Sequence, residues 1–212
     1  AVIVAGGTDF PSQQSQGGTK AWYDTVHVLQ DGASEWMPST SLSHPLAYAA
    51  AATAGDRLLL AGGADAERHY ADVRALEWTD GATASADLPA LPDPVAMAGA
   101  AVLGRTFYVV GGLGAPDSTA ASAAVFALDL DAPDAAWHQL PLLPGPGRIL
   151  PVVVAQADRL IVASGATLTV GADGQPAREY LSDVWAWIPD TDAGVSGGVW
   201  RRLADAPRPL AG

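Results

Sequence analysis

Residues 61–78 read AGGADAERHYADVRALEW and set a carboxylate, a guanidinium and an imidazole side by side at Glu67, Arg68 and His69. Such a trio can exchange protons and hold an anion. It can equally be the solvated dressing of a turn. Arg148, in PGPGRILP (residues 144–151), carries the planar fork that grips a carboxylate through two parallel hydrogen bonds. That carboxylate can be a ligand's, or an acidic side chain's on a neighbouring strand unit. His44, Asp9 and Lys20 lie in similar Gly-, Pro- and Ser-containing segments, whereas His27 and His138 stand inside strand-like runs and read as structural.

Other chemistries find no residues to carry them. The chain has no cysteine, which removes disulfides, thiolate zinc sites and cysteine nucleophiles. His27, His44, His69 and His138 show no metal-ligand spacing, and no metal is expected. GADGQPA at 171–177 reads as a Gly-rich turn, not a calcium loop. No Gly-x-Ser-x-Gly elbow and no phosphate loop is present. A net charge of -12, with Lys20 the single lysine, argues against nucleic acid and against anionic membranes as partners. No apolar run reaches the about 18–20 residues of a membrane-spanning helix. A cysteine-free chain suits cytoplasm and periplasm alike, so location stays open. The opening residues AVIVA resemble the middle of a strand, without a basic leader, and the natural chain is expected to be longer.

The elements that must position these groups announce themselves as repeats. Glycine pairs fall at Gly6-Gly7, Gly62-Gly63 and Gly111-Gly112, with Ser164-Gly165 as a degenerate fourth, and each closes a short apolar run: VIVA, RLLLA, TFYVV and RLIVA. The second glycines are 56, 49 and 53 residues apart. Each pair precedes a strand-like segment aligned on Val26, Val73, Val125 or Val184, and tryptophans at 36, 137 and 200 are each followed nine residues on by a proline. Four strand candidates per repeat and a period of about 50 residues are the pattern of a kelch-type β-propeller blade. The expected fold is all-β, a single domain over 1–212 with about four four-stranded blades, near 1–45, 46–94, 95–146 and 147–209. A β-sandwich is the competing all-β reading, but it has no reason to repeat. Four blades in an open arc would leave apolar end faces, so missing blades or self-association through those faces is expected.

In an up-down-up-down blade, the loop between strands two and three shares a face with the crossing to the next blade. That face collects residues 8–20, 64–70, 113–122 and 166–180 and the crossings near His44, Pro94, Arg148 and Arg208; the opposite turns are short. Long loops on one face of a rigid scaffold are where a site is usually built. The substrate-binding candidates there are Arg148, Glu67, Arg68, His69 and His44.

Several stretches carry a more specific likeness: GGTDFP at 6–11, WYD at 22–24, DAERHYADV at 65–73 and PGPGR at 144–148. With them the chain resembles, over essentially its full length, the cyclically permuted branch of the N-acetylneuraminate epimerase (sialic acid mutarotase) family. The resemblance implies a six-bladed kelch propeller, a sugar-acid substrate, no cofactor, and interconversion of α and β anomers by acid/base ring opening. The family's catalytic stretch, Gly-Glu-x-x-Pro-Gly-x-Arg, occurs nowhere in the sequence, so no catalytic residue is carried over, and the 212 residues alone are expected to be inactive. His44 stands where the family pattern has arginine before Pro-Leu-Ala-Tyr, and Ser164 breaks the fourth glycine pair. A kelch interaction module that binds a protein through the same face is the alternative, since fold alone does not fix function.

Overall fold

The computed structural model describes residues 1–13, 17–132, 134–171, 176–190, 192 and 194–211. The Gly-rich turn expected at 171–177 falls largely outside them, as does Gly212. Among the described residues there is no helix. Strands β1 (Val2–Ala5), β4 (Val26–Leu29) and β5 (Met37–Pro38) form a three-stranded first sheet, and a short hairpin of β2 (Thr8–Asp9) and β3 (Ala21–Trp22) stands between β1 and β4. The second sheet is β6 (Ala50–Ala54), β7 (Arg57–Ala61), β8 (Val73–Thr79) and β9 (Ala82–Leu88). The third is β10 (Gly99–Leu103), β11 (Thr106–Val110), β12 (Val125–Asp129) and β13 (Trp137–Gln139). The fourth is β14 (Val152–Gln156), β15 (Arg159–Ala163), β18 (Val184–Pro189) and β19 (Gly198–Arg202), with the hairpin of β16 (Ala166–Val170) and β17 (Pro176–Tyr180) inserted between β15 and β18. Pairing within each sheet is antiparallel and follows chain order. An all-β chain of repeated four-stranded antiparallel sheets is consistent with a β-propeller.

The sequence markers map onto one hydrogen-bond network used four times. The first residue of each pair donates its amide to the carbonyl before the aligned valine: Gly6 to Thr25, Gly62 to Asp72, Gly111 to Ala124, Ser164 to Asp183. The second donates to the crossing that leads away from its sheet: Gly7 to Leu46, Gly63 to Val95, Gly112 to Arg148, Gly165 to Leu210. Glycine is required because the crossing comes so close. At Gly62 (φ 64°) a Cβ would lie 2.2 Å from the Val95 carbonyl oxygen. Ser164 holds the same left-handed conformation, φ 57°, without glycine's freedom. Leu210 accepts its bond as the three earlier crossings do.

Cores lie between sheets. Leu42, Leu60 and Leu76 pack with Ile3 and Ala5 between the first and second; Leu59, Val73, Phe107 and Leu128 fill the space between the second and third; Val110, Leu140, Leu160 and Trp187 fill that between the third and fourth. Trp137 and Trp200 join the last two cores and tie their indoles back to the preceding sheet, Trp137 to the Pro89 carbonyl at 2.7 Å and Trp200 to that of Pro141 at 3.0 Å. Trp36, the corresponding residue of the first sheet, is exposed.

Candidate functional site

The loops between the second and third strand of each sheet set the geometry of the polar face. In the second sheet, Asp65 Oδ1 accepts the amides of Glu67 and Arg68 at 2.8 and 2.9 Å, which curls Ala64–Tyr70 into a tight loop. Asp65 Oδ2 accepts the Tyr70 hydroxyl at 2.5 Å. The His44 ring stacks on Tyr70, with centroids 3.9 Å apart, and the Arg68 guanidinium sits 4.8 Å from the same ring's centroid. Ser43 Oγ is 3.0 Å from His44 Nδ1 and itself accepts from Arg74 Nη1 at 3.1 Å. His69 turns the other way and places Nδ1 2.9 Å from the Leu113 carbonyl of the third sheet's loop. Glu67 is exposed, with no ion partner among the described residues.

Burial and the Asp65 hydrogen bond lift the Tyr70 phenol above its ordinary value, so it is a neutral donor at neutral pH. Burial would raise the Asp65 carboxyl, but the Tyr70 hydroxyl, two backbone amides and the Arg68 charge outweigh it and hold the group below the ordinary carboxylate range.

A second, simpler version of this clasp forms in the first sheet, where the Tyr23 hydroxyl donates to Asp9 Oδ1 at 2.9 Å. Nearby, the Lys20 ammonium donates to the Tyr48 hydroxyl and lies 4.5 Å from the ring centroids of both Trp22 and Tyr48.

Arg148 does not stand open to a ligand, which corrects the expectation that its fork receives a substrate carboxylate. The side chain is fully buried, and its two terminal nitrogens donate to the two oxygens of Asp183, each at 2.8 Å; Nη1 also donates to the Ser164 carbonyl at 3.0 Å. Of the two readings open from sequence, the ion pair is the one that forms, and it closes within the fourth sheet's own segment. The Trp185 indole donates to Asp183 Oδ2 at 2.7 Å. Burial pushes the Asp183 carboxyl up, and the hydrogen bonds from Arg148 and Trp185 more than reverse this, leaving it below the ordinary carboxylate value.

Thus the loop of the second sheet gathers His44, Arg68, Asp65 and Tyr70 around one aromatic ring, with His69 at its edge and Glu67 outside it, while Arg148 is withdrawn into the scaffold. Asp65 and Tyr70 were missed in the sequence; their signal is the recurrence of aspartate two residues after the second glycine and tyrosine before the third strand in both of the first two loops (Asp9 with Tyr23, Asp65 with Tyr70). Of the segments expected as plain loops, 166–180 contains the paired strands β16 and β17, and 8–20 opens with β2, which pairs with β3 just beyond it. Among the described residues, no three His, Asp or Glu side chains gather to hold a metal ion.

No family model matches the chain, and no curated protein matches it. Among solved structures, that of YjhT is similar, with a TM-score of 0.53 and 13% identity, covering 89% of this chain and 80% of YjhT. Likeness at that identity concerns the fold alone, and it supports a β-propeller.

Proposed function

We propose that the chain belongs to a kelch-type propeller of six blades whose long-loop face binds a sugar acid and interconverts its anomers. The likeness of DAERHYADV, PGPGR and GGTDFP to the mutarotase family and the fold likeness to YjhT support this reading. The observation that carries it is the convergence of His44, Asp65, Arg68 and Tyr70 on one loop, with the phenol held neutral beside a carboxylate held ionised. Those groups supply what a polyhydroxylated acid needs: donors and acceptors for its hydroxyls and a cation for its charge.

Mutarotation asks little more. A base removes the proton of the anomeric hydroxyl, an acid protonates the ring oxygen, and the bond between the anomeric carbon and the ring oxygen breaks. The open-chain carbonyl then recloses on its other face and the protons return. In the family the chain resembles, the groups proposed to move those protons belong to a Gly-Glu-x-x-Pro-Gly-x-Arg stretch, which this sequence lacks, so the 212 residues are expected to bind without turnover. Calorimetric titration with N-acetylneuraminate tests the binding half. Saturable heat that Arg68→Ala and Tyr70→Ala weaken supports the proposal; no heat at millimolar acid contradicts it.

A further inference from the structure

With Arg148 committed to Asp183, a bound acid must find its counter-charge elsewhere on the same face. Lys20, the chain's single lysine, is a cation that the fold holds in place there. Its ammonium sits in a corner made by two rings from different sheets. Trp22, on the β2–β3 hairpin of the first sheet, and Tyr48, ahead of β6 in the second, meet edge to face with centroids 5.8 Å apart, and the ammonium lies 4.5 Å from each ring. One of its three N–H groups goes to the Tyr48 hydroxyl. Ring faces and a phenol orient a cation without neutralising it. Strand parity turns the hairpin's own acid away. Thr8 pairs with Trp22 and Asp9 with Ala21, so Lys20 and Trp22 look to one side while Asp9, bonded to Tyr23, looks to the other. Arg57, Arg178, Arg201 and Arg208 also lack an acid partner among the described residues, but no described group holds them; Lys20 is seated.

The corner rests on scaffold. Tyr48, Met97 and Leu150 each stand two residues ahead of the first strand of a sheet, with φ of 58°, 59° and 51°. Left-handed backbone is uncommon for such side chains and persists where the surroundings enforce it. Here the Met97 amide donates to the Tyr48 carbonyl at 2.9 Å and the Leu150 amide to that of Met97 at 2.7 Å, which laces the three together where β6, β10 and β14 lie side by side. The corner also adjoins the polar loop already described, since Ala47, next to Tyr48, bridges to Ala64, and Ala64 to His69.

We infer that Lys20 anchors a small carboxylate at the inner edge of this face. The ammonium takes the acid group with its two remaining donors. The Tyr48 hydroxyl accepts from Lys20 and keeps its own proton for a ligand oxygen, and the Trp22 ring covers the adjoining part of the ligand. The inference rests on the binding face proposed above. That the acid is a sugar acid rests on the mutarotase reading; the anchor itself requires only a carboxylate.

Because Lys20 is the single lysine, labelling lysine at its ε carbon gives the chain one such NMR signal. That signal and the backbone amides are followed during titration with N-acetylneuraminate, with its methyl ester and with pyruvate. The expected result is a saturable shift of the Lys20 signal with the free acid, about tenfold weaker binding of the methyl ester, and about tenfold weaker acid binding in Lys20→Met. Methionine keeps an unbranched chain over the two rings, and an unchanged melting temperature certifies the variant; the comparison of acid with ester decides without it. Ester and acid bound equally by the wild type, acid binding that Lys20→Met leaves intact, or shifts confined to the loop of Asp65–Tyr70 overturns the anchor and leaves the function standing. Pyruvate that moves the Lys20 signal while N-acetylneuraminate is refused sustains the anchor and overturns the sugar-acid reading. No shift with any acid overturns both.

Discussion

Arg148 shows how one residue's role depends on its counterpart. At the same point of the other crossings stand Leu46, Val95 and Leu210, so the position is one the scaffold fills with apolar side chains. A charge there is tolerated because Asp183 meets both ends of the fork. Removing the partner leaves a buried, unpaired cation, and Asp183→Ala is expected to lower the unfolding free energy by about 3–5 kcal/mol in urea titration. The double variant Arg148→Leu, Asp183→Ala restores most of that loss if the pair serves the scaffold, because apolar replacements of buried pairs are often neutral. The pair also has a pH signature. The folded Asp183 carboxyl titrates below its unfolded value, so its stabilisation is complete above about pH 4 and is lost as pH falls through the folded value. Stability of the wild type therefore drops more steeply with acidification in that window than stability of Asp183→Ala; equal slopes would contradict the assignment. The arginine was plain in the sequence. Its partner was not, because an acid 35 residues away gains meaning only when the repeat register puts it beside the degenerate glycine pair.

Among the elements, the glycine pairs were the most legible feature, since close backbone approach leaves no other residue a place. All four apolar runs ending in them are strands, and the four aligned valines each begin one. The hairpin β16–β17 was not legible. Its first strand, ATLTV, does alternate, but its second, PAREY, lacks the alternation that marks a half-buried strand. The exceptions to the glycine rule make predictions. Ser164 holds φ 57° and buries an Oγ that has no partner among the described residues. Ser164→Gly relieves both costs against a smaller loss of chain entropy, and a gain of about 1 kcal/mol is expected in thermal unfolding. Gly62→Ala should do the reverse, since its new methyl meets the Val95 carbonyl; an unchanged melting temperature would show that the crossing can move.

For the whole molecule, the stacking that half-buries Trp137 and Trp200 stops at two faces. Val2 and Val4 on β1 are 54% and 50% exposed, and Val152 and Val154 on β14 are 38% and 45% exposed, whereas Ile3, Ala5 and Val153 on the alternate positions pack into the adjoining cores. Apolar rows of this kind promote association. Sedimentation velocity of the 212 residues is expected to show mass rising with concentration, and Val4→Lys with Val154→Lys to suppress it; a monomer throughout would show that the rows are covered otherwise. The repeat was readable because every sheet solves the same packing problem. The functional face was only partly readable, because its loops differ from sheet to sheet and their partners are set by the fold. Anomer exchange decides the functional reading most directly. In exchange NMR of N-acetylneuraminate, the chain extended to six repeats is expected to interconvert the α and β forms well above the buffer rate. Exchange at the buffer rate, with the acid bound, would contradict a mutarotase.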